Sequence, residues 1–114
     1  MSEAVPTGPV KGNPSERFIE FSELATMNLA GREIEQFSGN TMKTKGRIKE
    51  FKVFGDSAHI DIEDSMIERS GLWEPWPTFN MVAVSSKSKD TDITVKGDGS
   101  IEISRFQQLT RIKP

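Results

Sequence analysis

The sequence predicts a mainly β protein of the α+β class: a small, partly closed antiparallel barrel with an N-terminal helix. Three observations support this. Strand-forming residues alternate with polar ones after residue 46, turn residues divide these runs into two hairpins, and a helical apolar pattern precedes them. The total of about five short strands is typical of SH3-like and OB-like shapes. Such a shape does not identify a function.

The 114 residues fit a single domain. Residues 1–13 contain two prolines, two glycines and few apolar side chains, which predicts a flexible N-terminal arm. Residues 14–114 are then one folded domain, with a helix over 14–27 and a β region over 46–112.

The helix prediction depends on capping and spacing. Asn13 can cap, Pro14 suits the first helical position, and Glu16 follows as in a capping box. The apolar residues at helical spacing are Phe18, Phe21, Leu24 and Ala25. This stripe is expected to pack on the β region, with a partner-binding face as the alternative. A continuation over 29–37 has Ile34 and Phe37 as its apolar anchors.

The first hairpin joins residues 46–54 to 58–63 through Gly55, Asp56 and Ser57. Ala58, Ile60 and Ile62 share one face of the second strand. In the first strand Ile48 differs in parity from Phe51 and Val53. A β-bulge near Glu50 is therefore predicted, because it would bring all three to the inside.

Between the hairpins, residues 64–71 resemble a short helical turn in which Gly71 takes the left-handed conformation. Residues 73–77 form a rigid loop, because each proline restricts the residue before it. Residues 78–85 have apolar side chains of both parities and are predicted to be a strand buried on both faces.

The second hairpin joins residues 93–96 to 100–104 around Gly97, Asp98 and Gly99. Its apolar residues are in phase with a strand period of two. Residues 106–112 are predicted to form a 3₁₀ turn that leads into a short closing strand.

The residue inventory argues against catalysis. One histidine, no cysteine and no tyrosine remove the common nucleophile and acid–base sets, so the chain is predicted not to be an enzyme and to need no cofactor. His59, Asp61 and Glu63 alternate on one strand face, but neighbours there are about 6.6 Å apart, which favours a solvated face over a metal site. With no apolar run of about 18 residues, no membrane partner is expected, and a cytoplasmic location is predicted.

A basic row is the first candidate site. It consists of Lys43, Lys45, Arg47 and Lys49, with Lys52 close behind, and on a strand the odd-numbered four share one face. It suits phosphates or an acidic protein. The alternative is an edge strand that lysines protect from aggregation.

Trp73 and Trp76 are the second candidate site. Their large apolar rings are costly to expose, so either both plug the mouth of the barrel or at least one is offered to a partner. A free ring would anchor a protein interface or stack on a nucleic-acid base.

These features predict a non-enzymatic protein-interaction module that presents the Trp/Pro loop over 73–77 to a partner, with the helix face over 18–24 as a further contact. Residues 41–114 hold twelve basic and eleven acidic side chains, so they lack the basic excess of a nucleic-acid binder. A nucleic-acid-associated barrel that uses the basic row and the tryptophans is the alternative. An oligomeric structural or accessory protein is a second alternative.

Overall fold

The computed structural model describes residues 16–39 and 42–114, so the predicted arm over 1–13 lies outside the described residues. Nine antiparallel strands form one sheet in this part of the chain. The elements in chain order are β1 (Arg17–Ile19), α1 (Phe21–Leu24), β2 (Glu33–Ser38), β3 (Met42–Phe54), β4 (Ser57–Arg69), β5 (Leu72–Pro75), β6 (Met81–Ser85), β7 (Asp92–Val95), β8 (Ile101–Arg105) and β9 (Gln108–Ile112). The mainly β prediction is confirmed, with nine strands instead of about five.

The strands follow one another across the sheet in the order β1-β7-β8-β9-β2-β3-β4. Beyond β4, β6 pairs with its first half and β5 with its second half. Within the described residues the ladder does not return on itself, because β1 ends it on one side and β5 and β6 end it on the other. No helix among these residues is both long and apolar enough to span a membrane.

One apolar cluster receives side chains from nearly every element. Its most deeply buried members are Leu24, Leu29, Ile34, Ile48, Ile60, Val84, Ile101, Ile103 and Ile112. Since these residues come from both ends of the chain, the sheet has one core.

Both predicted hairpins are present, as β3 with β4 and as β7 with β8. The predicted closing strand is β9, which pairs with β8 and β2. The bulge near Glu50 is confirmed: Ile48 pairs with Ile62 and Glu50 with Asp61, so two residues of β3 oppose one step of β4. Ile48 is buried, but Val53, expected inside, is 41% exposed.

The helix prediction over 14–27 needs correction. Within it, residues 17–19 form β1 and the helix is limited to Phe21–Leu24. Phe18, taken as part of the helical stripe, is 76% exposed, while Ile19 packs into the core. Residues 17–19 form a strand and not a helix because pairing with β7 buries Ile19 against Ile93.

The predicted helical continuation over 29–37 is also wrong. Residues 33–38 form β2, which lies between β3 and β9 and buries Ile34. Ladder hydrogen bonds on both sides override the weak helical spacing of this segment.

The middle of the chain departs furthest from prediction. Residues 64–69 are not a helical turn but the second half of β4, and Asp64 adopts a left-handed φ of 55° at a register shift. Gly71 has the predicted left-handed φ, at 81°. The predicted loop over 73–77 is wrong for residues 73–75, which belong to β5 and pair with β4. In β6, Val82 and Val84 are buried while Met81 is exposed, so the strand buries one face rather than two.

Candidate interaction surface

The basic residues of β3 lie on the outer face of the sheet. Thr44, Gly46 and Ile48 are buried, and Lys43 and Lys45, which alternate with them, point away from the core. Residues 43–47 of β3 lie between β2 and β4, so the edge-strand interpretation is wrong for Lys43, Lys45 and Arg47. Residues 49–54 pair with β4 alone among the described residues, so this interpretation still applies to Lys49 and Lys52.

Lys43 and Lys45 converge on Trp73 across β4. Lys45 lies opposite Met66 of β4, and Trp73 in β5 lies opposite Glu68. The Lys45 Nζ is 4.2 Å from the centre of the Trp73 ring, and the Lys43 Nζ is 5.7 Å from it. Both distances are within the range of cation–π attraction, about 6 Å.

The same pattern continues toward β9. The Lys43 Nζ is 5.5 Å from the ring centre of Phe37, which lies directly opposite it in β2. The guanidinium carbon of Arg111 is 5.4 Å from that ring. Cations and rings contributed by β9, β2, β3 and β5 therefore alternate across the sheet. We call this set the cation–aromatic row: Arg111, Phe37, Lys43, Trp73 and Lys45.

Charge is distributed unevenly along the row. Arg111 is paired with Glu102, from Nε to Oε2 at 3.1 Å, and approaches Glu35 at 3.9 Å. Within the described residues, Lys43 and Lys45 make no ion pair. Arg111 at the β9 end of the row is therefore ion-paired with carboxylates, while the two lysines beside Trp73 are not ion-paired with a described residue, although Lys45 lies opposite Glu35 in the ladder.

Lys113 is a second cation that pairs with carboxylates at the β9 end. Lys113 lies 3.2 Å from Glu33 and 3.7 Å from Glu35. The hydrogen bond to Glu33, followed by the charge of Glu35, raises the pKa of Lys113. These carboxylates are therefore engaged on the protein itself.

The other two members of the predicted basic row are placed differently. Arg47 pairs with Glu63 at 3.4 Å and with Asp64. Lys49 is exposed at the bulge, and no ion pair of it occurs in residues 16–39 or 42–114. The structure thus brings two of the four predicted cations to a tryptophan and directs Arg47 to carboxylates.

Trp76 has a different environment from Trp73. It follows β5, is half-buried, and packs against the core cluster. The guanidinium carbon of Arg69 lies 4.9 Å from the centre of the Trp76 ring. The backbone N–H of Trp76 donates to the carbonyl oxygen of Ser65 at 2.8 Å. These contacts fix the loop between β5 and β6.

The alternating residues of β4 are engaged with neighbours. His59 packs on Phe54 with 5.1 Å between ring centres, Asp61 lies 3.6 Å from Lys52, and Glu63 is paired with Arg47. Among the described residues, no three metal-ligating side chains form a cluster.

Two members of the row were not found from the sequence. Phe37 was assigned to a helix, and Arg111 was not distinguished from other surface cations. No period-two signal marks Phe37, because Ile34 and Phe37 are three residues apart and lie on opposite faces of β2. In comparisons with family models, curated proteins and solved structures, no match to this chain is found.

Proposed function

We propose that this chain is a non-enzymatic protein-interaction module whose contact surface is the β5 end of the cation–aromatic row. One observation carries the proposal. The Nζ of Lys45 lies 4.2 Å from the ring centre of Trp73, and Trp73 belongs to β5, an end strand of the sheet. Tryptophan is among the residues that dominate binding energy at protein interfaces. A lysine that already lies over the ring has fewer rotamers to lose, so ordering this surface on binding costs less side-chain entropy.

The surroundings of Trp73 also support a protein partner. Carboxylates and cations are nearly balanced over residues 41–114, so the surface lacks the basic excess of a general phosphate binder. Lys43 and Lys45 form no ion pair within the described residues, so they can pair with acidic groups of a partner. A partner surface with an apolar pocket bordered by carboxylates fits this end of the row.

The test compares Trp73→Ala with Leu72→Ala in affinity capture from native extract, with and without nuclease. Leu72 is the matched control, because it is 72% exposed and adjacent in β5. Trp73→Ala should reduce nuclease-resistant capture by about tenfold or more, as expected for a hot-spot residue. Leu72→Ala should retain capture, and both variants should unfold near the wild-type temperature.

Two outcomes would contradict this proposal. Equal capture by wild type and Trp73→Ala would place the contact elsewhere. A large fall in the unfolding temperature of Trp73→Ala alone would make its ring a structural residue.

A second candidate function is binding of single-stranded nucleic acid, favoured by two lysines that lie beside an aromatic ring and form no ion pair with another described residue. A base would stack on Trp73 while Lys43 and Lys45 neutralise phosphates. Titration with oligothymidylate at low salt should then quench tryptophan fluorescence, with affinity falling by a log–log slope of about 0.7 per phosphate contacted. Absence of quenching, together with capture that resists nuclease, eliminates this candidate.

The proposal includes a finer description of shape and location. The sheet curls into a partly closed, SH3-like or OB-like barrel, and the contact of Arg105 in β8 with the carbonyl oxygen of Ala83 in β6 supports this curvature. The lack of cysteine agrees with a reducing, cytoplasmic location. If the chain instead acts as a homo-oligomer, sedimentation at high concentration will show a species larger than the monomer.

A further inference from the structure

An open groove of about 740 Å³ lies beside β1. Its lining comes from the segment β1 through α1, from the β3–β4 turn, and from the chain between the end of β6 and the start of β7. The side chains that matter for the argument are Phe18, Phe21, Ile93, Glu20, Asp56 and Asp92. None of the residues of the cation–aromatic row lines this groove, so it is a separate surface.

β1 offers backbone groups toward a further strand. It pairs with β7 on one side through residues 17–19, and in the described part of the chain no strand pairs with its other side. An end strand of this kind presents N–H and C=O groups that another extended chain can satisfy. Phe18 in the middle of β1 is 76% exposed, which leaves an apolar side chain beside those groups.

The ionisable lining of the groove is entirely acidic. It consists of Glu20, Asp56 and Asp92, with no lysine or arginine among the lining residues. Asp56 lies 3.5 Å from the Nζ of Lys87, a side chain that is 80% exposed. In the described part of the chain neither Glu20 nor Asp92 has an ion-pair partner. An occupant with positive charge is therefore favoured.

We propose that this groove binds an extended, basic segment of a partner polypeptide, which adds to the sheet as a strand beside β1. Backbone hydrogen bonds to β1 would supply affinity, Phe18 would cover alternate apolar side chains of the segment, and Glu20 and Asp92 would pair with its cations. This surface is independent of the proposed contact at Trp73, and either proposal can fail without the other.

The test uses the full chain and fluorescein-labelled ten-residue peptides, with binding followed by fluorescence anisotropy. The probe alternates valine and lysine, and the charge control alternates valine and glutamate. A third peptide is the valine–lysine probe with N-methyl groups on alternate amides, which keeps its charge but removes backbone donors. The probe should bind, and both other peptides should bind at least about tenfold more weakly.

Variants of the chain locate the binding. Glu20→Gln combined with Asp92→Asn should weaken the probe by about fivefold, since each exposed ion pair contributes modestly. The matched control is Glu68→Gln combined with Glu74→Gln, which removes the same charge from β4 and β5 and should leave the affinity unchanged. Phe18→Ala should also weaken the probe, and circular dichroism will verify that each variant remains folded.

Three results would overturn the proposal. Equal binding of the N-methylated peptide would show attraction by charge without strand addition. Equal weakening by both double variants would show that net charge, not the groove, attracts the probe. Self-association in sedimentation that Phe18→Ala abolishes would identify a second copy of this chain as the occupant.

Discussion

Gly46 lies where β3 passes close to β4. A Cβ atom at this position would be 2.5 Å from Cγ2 of Ile62 and 3.1 Å from the carbonyl oxygen of Glu63. The adjacent register shift, where Asp64 takes a left-handed conformation, brings the two backbones together. Gly46 does not have a left-handed φ, so glycine is needed here for lack of space and not for its backbone conformation.

Gly46→Ala is expected to destabilise the protein by about 1–3 kcal/mol, the usual cost of overpacking. Chemical denaturation measures this change. Ile62→Ala removes the nearest side-chain atom at a cost of its own. In the double variant the two costs should sum to more than the measured loss, since contacting residues are coupled. Simple additivity would show that the Ile62 contact is not what excludes a side chain.

Asp98 gives the second hairpin a pH-dependent turn. Its Oδ1 accepts hydrogen bonds from the Ser100 hydroxyl at 2.7 Å and from the Ser100 backbone N–H at 2.8 Å. These two hydrogen bonds, the hydroxyl first, lower the pKa of Asp98. A carboxyl with a depressed folded-state pKa adds stability above its unfolded pKa, about 3.9, and loses it as the pH falls through the folded value.

Asp98→Asn should therefore be less stable than the wild type at about pH 6, and the difference should shrink toward about pH 3. Urea denaturation at both pH values measures it. Asp90→Asn is the matched control, because Asp90 lies in an exposed loop. A difference between Asp98→Asn and wild type that is the same at both pH values would contradict the role of the ionised carboxylate.

At the scale of elements, prediction succeeded for the two hairpins whose strands have apolar residues in a readable strand pattern on both sides of a turn. It failed for the β4–β5 hairpin, although its partners are close in sequence, because residues 64–75 show no such pattern. The β7–β8 hairpin places Ile93 opposite Ile103 around a short turn, and a period of two is visible in each strand. The β-bulge near Glu50 was also predictable, because the parity of Ile48 and Phe51 required it.

Prediction failed where an element depends on distant partners. β1 has three residues, too few to display a period, and β2 is stabilised by pairing Ile34 with Ile112 at the far end of the chain. The cation–aromatic row has the same origin. Lys45 and Trp73 meet only because β4 sets the register between β3 and β5, and nothing local specifies that register.

Arg105 connects two elements that are not neighbours in the ladder. Its Nη2 donates to the carbonyl oxygen of Ala83, so the end of β8 is tied to the open side of β6. Burial lowers the pKa of Arg105. Its buried Nε has no hydrogen-bond partner among the described residues, which offsets part of the stabilisation.

Arg105→Ala is expected to cost about 2 kcal/mol, the value typical of a hydrogen bond to a charged group. Amide exchange in β6 should accelerate more than exchange in β9, because β6 loses its tie to β8. Ser104→Ala, at the exposed neighbouring position, should leave the stability and the amide exchange of β6 unchanged. Unchanged protection of β6 in Arg105→Ala would show that pairing with β4 alone holds that strand.

At the scale of the whole molecule, one core joins elements that are far apart in sequence. Ile19 of β1, Ile60 of β4 and Ile103 of β8 belong to the same buried cluster. The half-buried Trp76 packs against this cluster from the β5 side. Loss of any large buried side chain should consequently weaken the entire sheet rather than one hairpin.

Ile103→Ala removes a fully buried side chain and is expected to destabilise the protein by about 2–5 kcal/mol. Thermal unfolding should remain a single transition, and tryptophan fluorescence, which reports the β5 end, should coincide with far-ultraviolet circular dichroism of the sheet. Lys49→Ala, at an exposed position of β3, is the control and should leave the midpoint nearly unchanged. A fluorescence transition that precedes the circular dichroism change would mean that β5 and its loop unfold as a separate unit. In that case Trp73 would lie on a surface that opens independently of the core.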